Sequence, residues 1–367
     1  MMNHQVEKLP NKWVRNWLIL GLILVLCQII IGGITRLTGS GLSITEWEIV
    51  TGTLPPLNAQ AWQEEFAKYQ QTPQYQKLNV GMLMGSIFEP GTFKFIYFWE
   101  YLHRLWARMM GFVFLFPFVF FLVKKWIPIQ LQRHLLSVIG LSMLAATFGW
   151  IMVASGLVNR PWVNAYKLAI HLCIGIGVFV MLWWAFLHYN YQTERRNGKI
   201  FKSAHLTLLI TLVVLQIFLG GVMSGTKASL FINTWPDYHG SMSPEIIFNL
   251  DQWSYANFNN YEDSAFLVSL IQFLHRNTAY IITVLSAYFL IKRKYNNRRR
   301  SYYVYVGLLG CQVLLGILTL VKSLGIIPVF WGVLHQAFGV FTLSAIVAHY
   351  FFRKRDYALL TIDNNES

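Results

Sequence analysis

Glu100-Tyr101-Leu102-His103-Arg104 lies inside an apolar run of residues 95–123, and Gln272-Phe273-Leu274-His275-Arg276 repeats its spacing inside a run of 264–291. Ionisable side chains are costly within hydrocarbon and mark function where they occur. Their recurrence points to a duplicated unit. Reading outward, Gln28-Ile29-Ile30-Ile31-Gly32-Gly33 matches Gln216-Ile217-Phe218-Leu219-Gly220-Gly221, and Gly149 with His171 matches Gly316 with His335. About 20 apolar residues span a bilayer, and eight stretches have that length: 16–34, 95–123, 134–154, 165–189, 204–225, 264–291, 302–322 and 329–352. The expectation is an all-α polytopic membrane protein with eight transmembrane helices. They form two pseudo-symmetric four-helix bundles, 1–203 and 204–367, related by an axis along the membrane normal.

Composition agrees. The chain of 367 residues is 55% hydrophobic and 13% charged, against about 25% charged in soluble proteins, which excludes a soluble domain and a disordered chain. The net charge of +14 resembles a nucleic-acid footprint until the basic residues are placed. Lys8, Lys12 and Arg15 precede span one, Lys124, Lys125 and Arg133 follow span two, and Arg195, Arg196, Lys199 and Lys202 follow span four. Lys292, Arg293, Lys294, Arg298, Arg299 and Arg300 follow span six, and Arg353, Lys354 and Arg355 follow span eight. All fall on one side, which the positive-inside rule makes cytoplasmic. Both termini are therefore expected in the cytoplasm, and the excess charge records orientation in a lipid membrane, with no nucleic-acid partner. The apolar run after Arg15 is too long for a signal peptide, and no transit peptide precedes it, so the plasma (inner) membrane of a bacterium is the expected location. Cys27, Cys173 and Cys311 sit within apolar stretches and read as buried thiols.

Of the ten histidines, His103, His171, His275 and His335 occupy equivalent depths in the outer halves of spans two, four, six and eight. A lone histidine on an apolar face is most often a satisfied core residue, but four at repeat-equivalent positions point to metal ligation. Zinc wants three or four ligands at one point. Two imidazoles from two helices of a bundle are what a heme iron takes axially. Ala107, Gly111 and Gly175 leave gaps below the first pair through which a flat macrocycle reaches the backbone. Arg104, Arg108 and Arg276 either pair with heme propionates or snorkel to headgroups. The repeat breaks at Glu100, whose counterpart is Gln272. That difference suggests one catalytic and one electron-transfer site, with a Glu100–Arg104 ion pair at i,i+4 as the structural alternative.

These residues resemble the heme A synthase family, in its mitochondrial and proteobacterial type. The matching segments run in order through the chain: residues 32–43 (Gly32-Gly33-Ile34-Thr35-Arg36-Leu37-Thr38-Gly39-Ser40-Gly41-Leu42-Ser43), Glu46-Trp47, Pro55-Pro56, Glu100 to Arg104, Gly156-Leu157, Asn164 to Leu172, His275-Arg276 and His335-Gln336. The resemblance implies an enzyme that oxidises the C8 methyl of heme O to a formyl group, giving heme A for terminal oxidases. It implies substrate heme O at His103 and His171, a cofactor heme b at His275 and His335, and Glu100 as the catalytic carboxylate. It implies heme sites near the outer side, with heme O synthase and an electron carrier as partners; a homo-oligomer is left open. Some members carry a Cys pair in an outer loop, and this chain has none there.

Two rivals make different demands. A di-heme cytochrome b stacks two histidines on one face of each ligating helix; His335 and His349 comply, but His171 and His188 sit about 100° apart around their helix. A transporter with repeats predicts matching helix breaks at the midplane, and Pro117 in span two has no partner in span six. Trp47 and Trp235 occupy equivalent outer loops, as caps over the heme sites or as interfacial anchors. Segment 58–77, with Trp62, Phe66 and Tyr69 at helical spacing, is expected either as a surface helix or as a loop helix packed on the spans. The tail after Asp356 is expected to be unstructured.

Overall fold

Asn11 stops the approach to the first helix, its side chain accepting the Trp13 N–H at 2.9 Å, as an N-cap does. The computed structural model describes residues 10–46, 54–79, 90–157, 160–191, 203–262, 264–292 and 300–363. Basic residues Lys8, Arg195, Arg196, Lys199, Lys202, Arg293, Lys294, Arg298 and Arg299, and also Trp47, lie outside them. The helices are α1 (Lys12–Leu37), α2 (Ala59–Gln70), α3 (Pro90–Val123), α4 (Ile129–Gly156), α5 (Ala165–Tyr191), α6 (Ala204–Gly225), α7 (Ala228–Phe231), α8 (Tyr255–Asn259), α9 (Ala265–Ile291), α10 (Arg300–Val321) and α11 (Val329–Asp363). Among the described residues there is no strand, only an isolated bridge between Tyr238 and Ser241.

Seven helices, α1, α3, α4, α5, α6, α10 and α11, are long and apolar enough to cross a membrane. The run 264–291 is also a helix, the 27-residue α9, but Gln272, His275, Arg276 and Asn277 in its middle lower its hydropathy below that of the seven. The C-terminal tail departs from expectation, because α11 continues through Asp363. Tyr357-Ala358-Leu359-Leu360 carry no helix breaker and extend the apolar, helix-forming pattern past Asp356.

α1 and α6 each pack against both α5 and α11, which also touch each other; α3 lies on α1, α4 on α5, α9 on α6 and α10 on α11. Hydrocarbon offers no competing hydrogen-bond partner, so indole and hydroxyl donors must find partners within the protein. Trp17 Nε1 donates to the Val113 carbonyl (3.2 Å) and Trp106 Nε1 to Leu24 (3.0 Å), joining α1 and α3. Trp183 Nε1 donates to Ser344 (3.1 Å), joining α5 and α11. Outward faces are apolar, with Phe112, Phe116, Met143, Val284 and Leu314 exposed.

Small residues set the closest helix approach, as in membrane bundles generally. Cβ atoms built on Gly221 and Gly225 of α6 would fall 2.7 and 2.5 Å from the Cα atoms of Ala169 and Ala165 of α5. Gly225→Leu therefore forces the two backbones apart. The expected cost is about 3 kcal/mol or more, read as a lowered melting temperature and loss of monodisperse protein in detergent. A melting curve matching the wild type would show that this contact does not hold the helices together.

The described part of the connection between α1 and α3 is packed on the bundle. Trp62, Phe66 and Tyr69 of α2 pack on Phe93 and Tyr97 at the start of α3, so segment 58–77 is a loop helix docked on a span. Ring pairs such as Tyr69–Phe93, with centroids 5.2 Å apart, fix its angle.

Candidate functional site

His103 on α3, His171 on α5, His275 on α9 and His335 on α11 all line one cavity of about 1430 Å³. That exceeds a single ordinary ligand pocket of roughly 300–1,000 Å³. His103 and His171 lie within electrostatic reach of each other, as do His275 and His335, so the four divide into the two expected pairs.

Each imidazole rests against a glycine of the neighbouring helix. A Cβ on Gly32 would stand 2.9 Å from His103 Cε1, on Gly149 3.1 Å from His171, on Gly220 3.1 Å from His275 and on Gly316 2.9 Å from His335. One turn before each glycine a polar contact orients the histidine. Gln28 Nε2 donates to the His103 carbonyl (3.2 Å) and Gln216 Nε2 to the His275 carbonyl (3.0 Å). His171 Nδ1 donates to the Ala145 carbonyl (3.0 Å), and His335 Nδ1 to Gln312 (3.1 Å). In His171 and His335 a backbone acceptor on Nδ1 leaves Nε2 unprotonated and able to ligate a metal. The sequence repeat contained the signal, since Gln28-xxx-Gly32 and Gln216-xxx-Gly220 were visible in it; what could not be read was that each glycine serves a histidine on another helix. Replacing Gly316 by Val should displace the His335 ring and lower bound heme about 10-fold or more, on the scale of lost ligand-orienting contacts. Heme content per protein after purification measures this, and unchanged content would show that the glycine contact is incidental.

Glu100 is only 2% exposed, lines the cavity, and is met by four donors. Its Oε2 accepts from Ser43 N (2.7 Å), Ser43 Oγ (2.7 Å) and Ile44 N (3.0 Å), and its Oε1 from Arg104 Nη2. The Glu100–Arg104 ion pair expected as the structural alternative is thus present, on a carboxylate that also lines the cavity. Arg104 also donates to the carbonyls of Ile44 (3.2 Å) and Glu46 (3.3 Å). Gln272 does the reverse with the opposite chemistry. It is wholly buried, donates from Nε2 to Ala228 (2.9 Å) and Ile232 (2.7 Å), and accepts from Arg276 (2.8 Å). Arg276 donates further to Thr234 and Asp237 carbonyls, both at 2.8 Å. Each residue thus clamps the loop that follows α1 or α6: the carboxylate takes N–H groups, the amide gives N–H groups to carbonyls. Ser43 is not among the expected site residues; its position at the end of the run 32–43 was the only hint. Arg104, Arg108 and Arg276 all line the cavity, and Arg276 Nε is buried without a hydrogen-bond partner. Trp235 lines it too and donates to Tyr280 Oη at 3.0 Å.

A planar tetrapyrrole fits these residues. The donors it would take are the two imidazole pairs that line the cavity; among the described residues no three His, Cys, Asp or Glu side chains gather as a metal cluster. Gly111 and Gly175 line the cavity, and a Cβ on either would meet nothing within 4 Å, as the gap argument requires.

Comparison with known proteins bears on the same residues. The family model COX15-CtaA, described as cytochrome oxidase assembly protein, matches residues 15–347. A heme A synthase of Wolbachia pipientis from Culex pipiens is 39% identical over 330 residues, 89% of this chain and 93% of that protein. Heme A synthases of Sinorhizobium fredii and Flavobacterium psychrophilum are 36% and 35% identical, covering 93% and 91% of this chain and 89% and 96% of their own. A match of that length, spanning both histidine pairs, makes the chain a member of the heme A synthase family.

Proposed function

We propose that the protein converts heme O to heme A, oxidising the C8 methyl to a formyl group, and that only one half performs the chemistry. The observation carrying this reading is the asymmetry within a repeat: two bis-histidine pairs on one cavity, with a cavity-lining carboxylate beside one and a buried amide beside the other. Residues 1–203 form the substrate half, with heme O between His103 and His171. Residues 204–367 form the cofactor half, with heme b between His275 and His335. Both are four-helix units of one topology, α1, α3, α4 and α5 against α6, α9, α10 and α11. Matched packing partners and matched glycine contacts support this pairing, which makes α9 the eighth span. The basic connections place both termini in the cytoplasm and the heme sites toward the outer side of the plasma membrane.

Heme b, when bound, supplies one-electron relay between the substrate site and an external carrier. The chain's own residues do the rest. Gln28 and Gly32 fix His103, and Ala145 and Gly149 fix His171, so the methyl is presented in one orientation. Glu100 lies one turn before His103 on the same face. With water as the oxygen source, the methyl passes through an alcohol and a geminal diol that loses water to the aldehyde, each of the two oxidations taking up one water and releasing two electrons to the external carrier and two protons. Three donors crowd Oε2 while Oε1 accepts from Arg104 alone among the described residues, so Oε1 keeps a lone-pair site for a proton. Of the donors on Oε2, Ser43 Oγ is the one that can turn away as the charge is lost, because the Ser40 and Ile96 carbonyls, at 2.9 and 3.3 Å, offer it other acceptors. Arg104 and Arg276 hold the outer loops down as lids and turn their remaining donors to propionates. Heme O synthase as donor of the substrate, and a second copy of the chain, are the partners this reading admits.

The decisive experiment supplies heme O to cells or membranes containing the protein and extracts the hemes. Formation of heme A supports the reading, and unchanged heme O overturns it. A purely electron-transferring cytochrome would show b-type absorbance with no new heme.

A further inference from the structure

Arg36 and Lys227 are two cations that the reaction as described does not use. Arg36, in the last turn of α1, donates from Nη2 to the carbonyls of Ser224 (2.7 Å) and Gly225 (3.1 Å) at the end of α6, and its Nε is buried without a hydrogen-bond partner. Lys227, two residues past α6, places Nζ 2.8 Å from the centroid of the Trp162 ring. Arg36, Lys227 and Trp162 all line the cavity. Among the described residues, the ion pairs use Lys68, Arg104 and Arg160, and neither of these two cations. Capping the negative end of α6 accounts for Arg36 Nη2, but not for its idle Nε or for a second cation beside it. Burial and then the charge of Arg36 push Lys227 down to about 7. Two like charges facing an apolar cavity are unfavourable until an anion joins them.

The repeat says that Lys227 is kept against its own backbone preference. In the alignment of α1 with α6 its counterpart is Gly39, and both are left-handed, with φ of 55° and 72°. Glycine takes that conformation freely, while lysine is strained there. The partner position is also unmatched: aligned through His171 and His335, Trp162 corresponds to Ile326. At this pair of positions only one half therefore has a cation over an aromatic face. Trp162 precedes α5, which carries His171, and Arg36 lies one turn beyond Gly32, which touches His103.

We propose that Lys227 and Arg36 form a carboxylate clamp for the propionates of the substrate heme, so that the substrate site is completed by a residue of the other half. This rests on the reading of His103 and His171 as the substrate site. The clamp lets two otherwise equivalent pockets distinguish an exchangeable substrate from a resident cofactor.

The test uses the full-length protein purified with its resident heme and titrated with ferric protoporphyrin IX or its dimethyl ester, read by absorbance. Wild type should bind the diacid more tightly than the diester. Lys227→Gly, which installs the residue of the other half and relieves the strained backbone, should weaken diacid binding about 10- to 100-fold and leave the diester unchanged. Lys227→Arg should retain most of the diacid affinity. Equal weakening of both porphyrins, or no weakening of the diacid, overturns the clamp. Wild type binding neither porphyrin overturns the substrate-site reading with it, whereas diester binding that survives while the clamp fails leaves that reading standing.

Discussion

Glu100→Gln will keep the b-type absorbance of the protein and lose heme A formation by about 100-fold or more, the usual scale of a deleted proton acceptor. The substitution makes the substrate half resemble the cofactor half, where Gln272 occupies the equivalent place. It is nearly isosteric, so cavity shape is preserved. The chemistry is not, because an amide NH2 would face Ser43 N and Ile44 N, or else Arg104, all of them donors. Some loosening of the 39–46 loop must follow, since a buried charge-assisted hydrogen bond contributes about 1.5–3 kcal/mol. Ser43→Ala separates the two effects. It removes one donor from the carboxylate but leaves the carboxylate itself, so it should lower melting temperature slightly while keeping most conversion. If Glu100→Gln still converts heme O fully, the proton-accepting role is wrong, and Glu100 is a loop clamp as Gln272 is.

The comparison of Glu100 with Gln272 also shows what the sequence could and could not disclose. Helix positions were legible because hydrocarbon demands long apolar runs, and the histidines were legible because imidazoles are expensive there. The pairing of His103 with His171 followed from the repeat, which compares like with like. The partners of Glu100 did not, because they come from backbone N–H groups of a loop, and backbone donors carry no residue signature. The glycines beside the four histidines were visible as repeated letters, yet their role depends on contacts between different helices. Lys227 was hidden for another reason: in sequence it is one basic residue in a long outer loop, and only the closure of α6 against α5 brings it over Trp162. α9 shows the limit from the other side, since the polar residues proposed to hold and cover a heme are the ones that dilute its hydropathy.

His275→Ala or His335→Ala should yield protein with at least about 10-fold less b-type heme, whereas His103→Ala and His171→Ala should retain it. The four sites are built alike, with a glycine under each ring and a polar contact one turn away, so the first coordination shell alone gives no reason for the halves to differ. The difference must come from what surrounds the pairs. In the C-terminal half Arg276 and Gln272 tie the 226–264 loop to α9 through four hydrogen bonds of 2.7–2.9 Å, a fifth joins the two side chains to each other, and Arg276 stacks on Tyr238 at 4.3 Å. A lid held by hydrogen bonds to four backbone carbonyls, with no carboxylate among them, favours a ligand that stays. The lid over His103 hangs on the Glu100 carboxylate, whose hold on Ser43 and Ile44 weakens if it takes a proton as proposed, which favours a ligand that leaves. A bound cofactor stabilises the folded state by mass action, about 2.7 kcal/mol when its concentration is 100 times its Kd. Loss of heme from His335→Ala should therefore also lower the melting temperature, and adding heme should not restore it. Should His103→Ala be the variant that loses b-type absorbance, the assignment of the two halves is reversed, and Glu100 would stand beside the resident heme rather than the substrate.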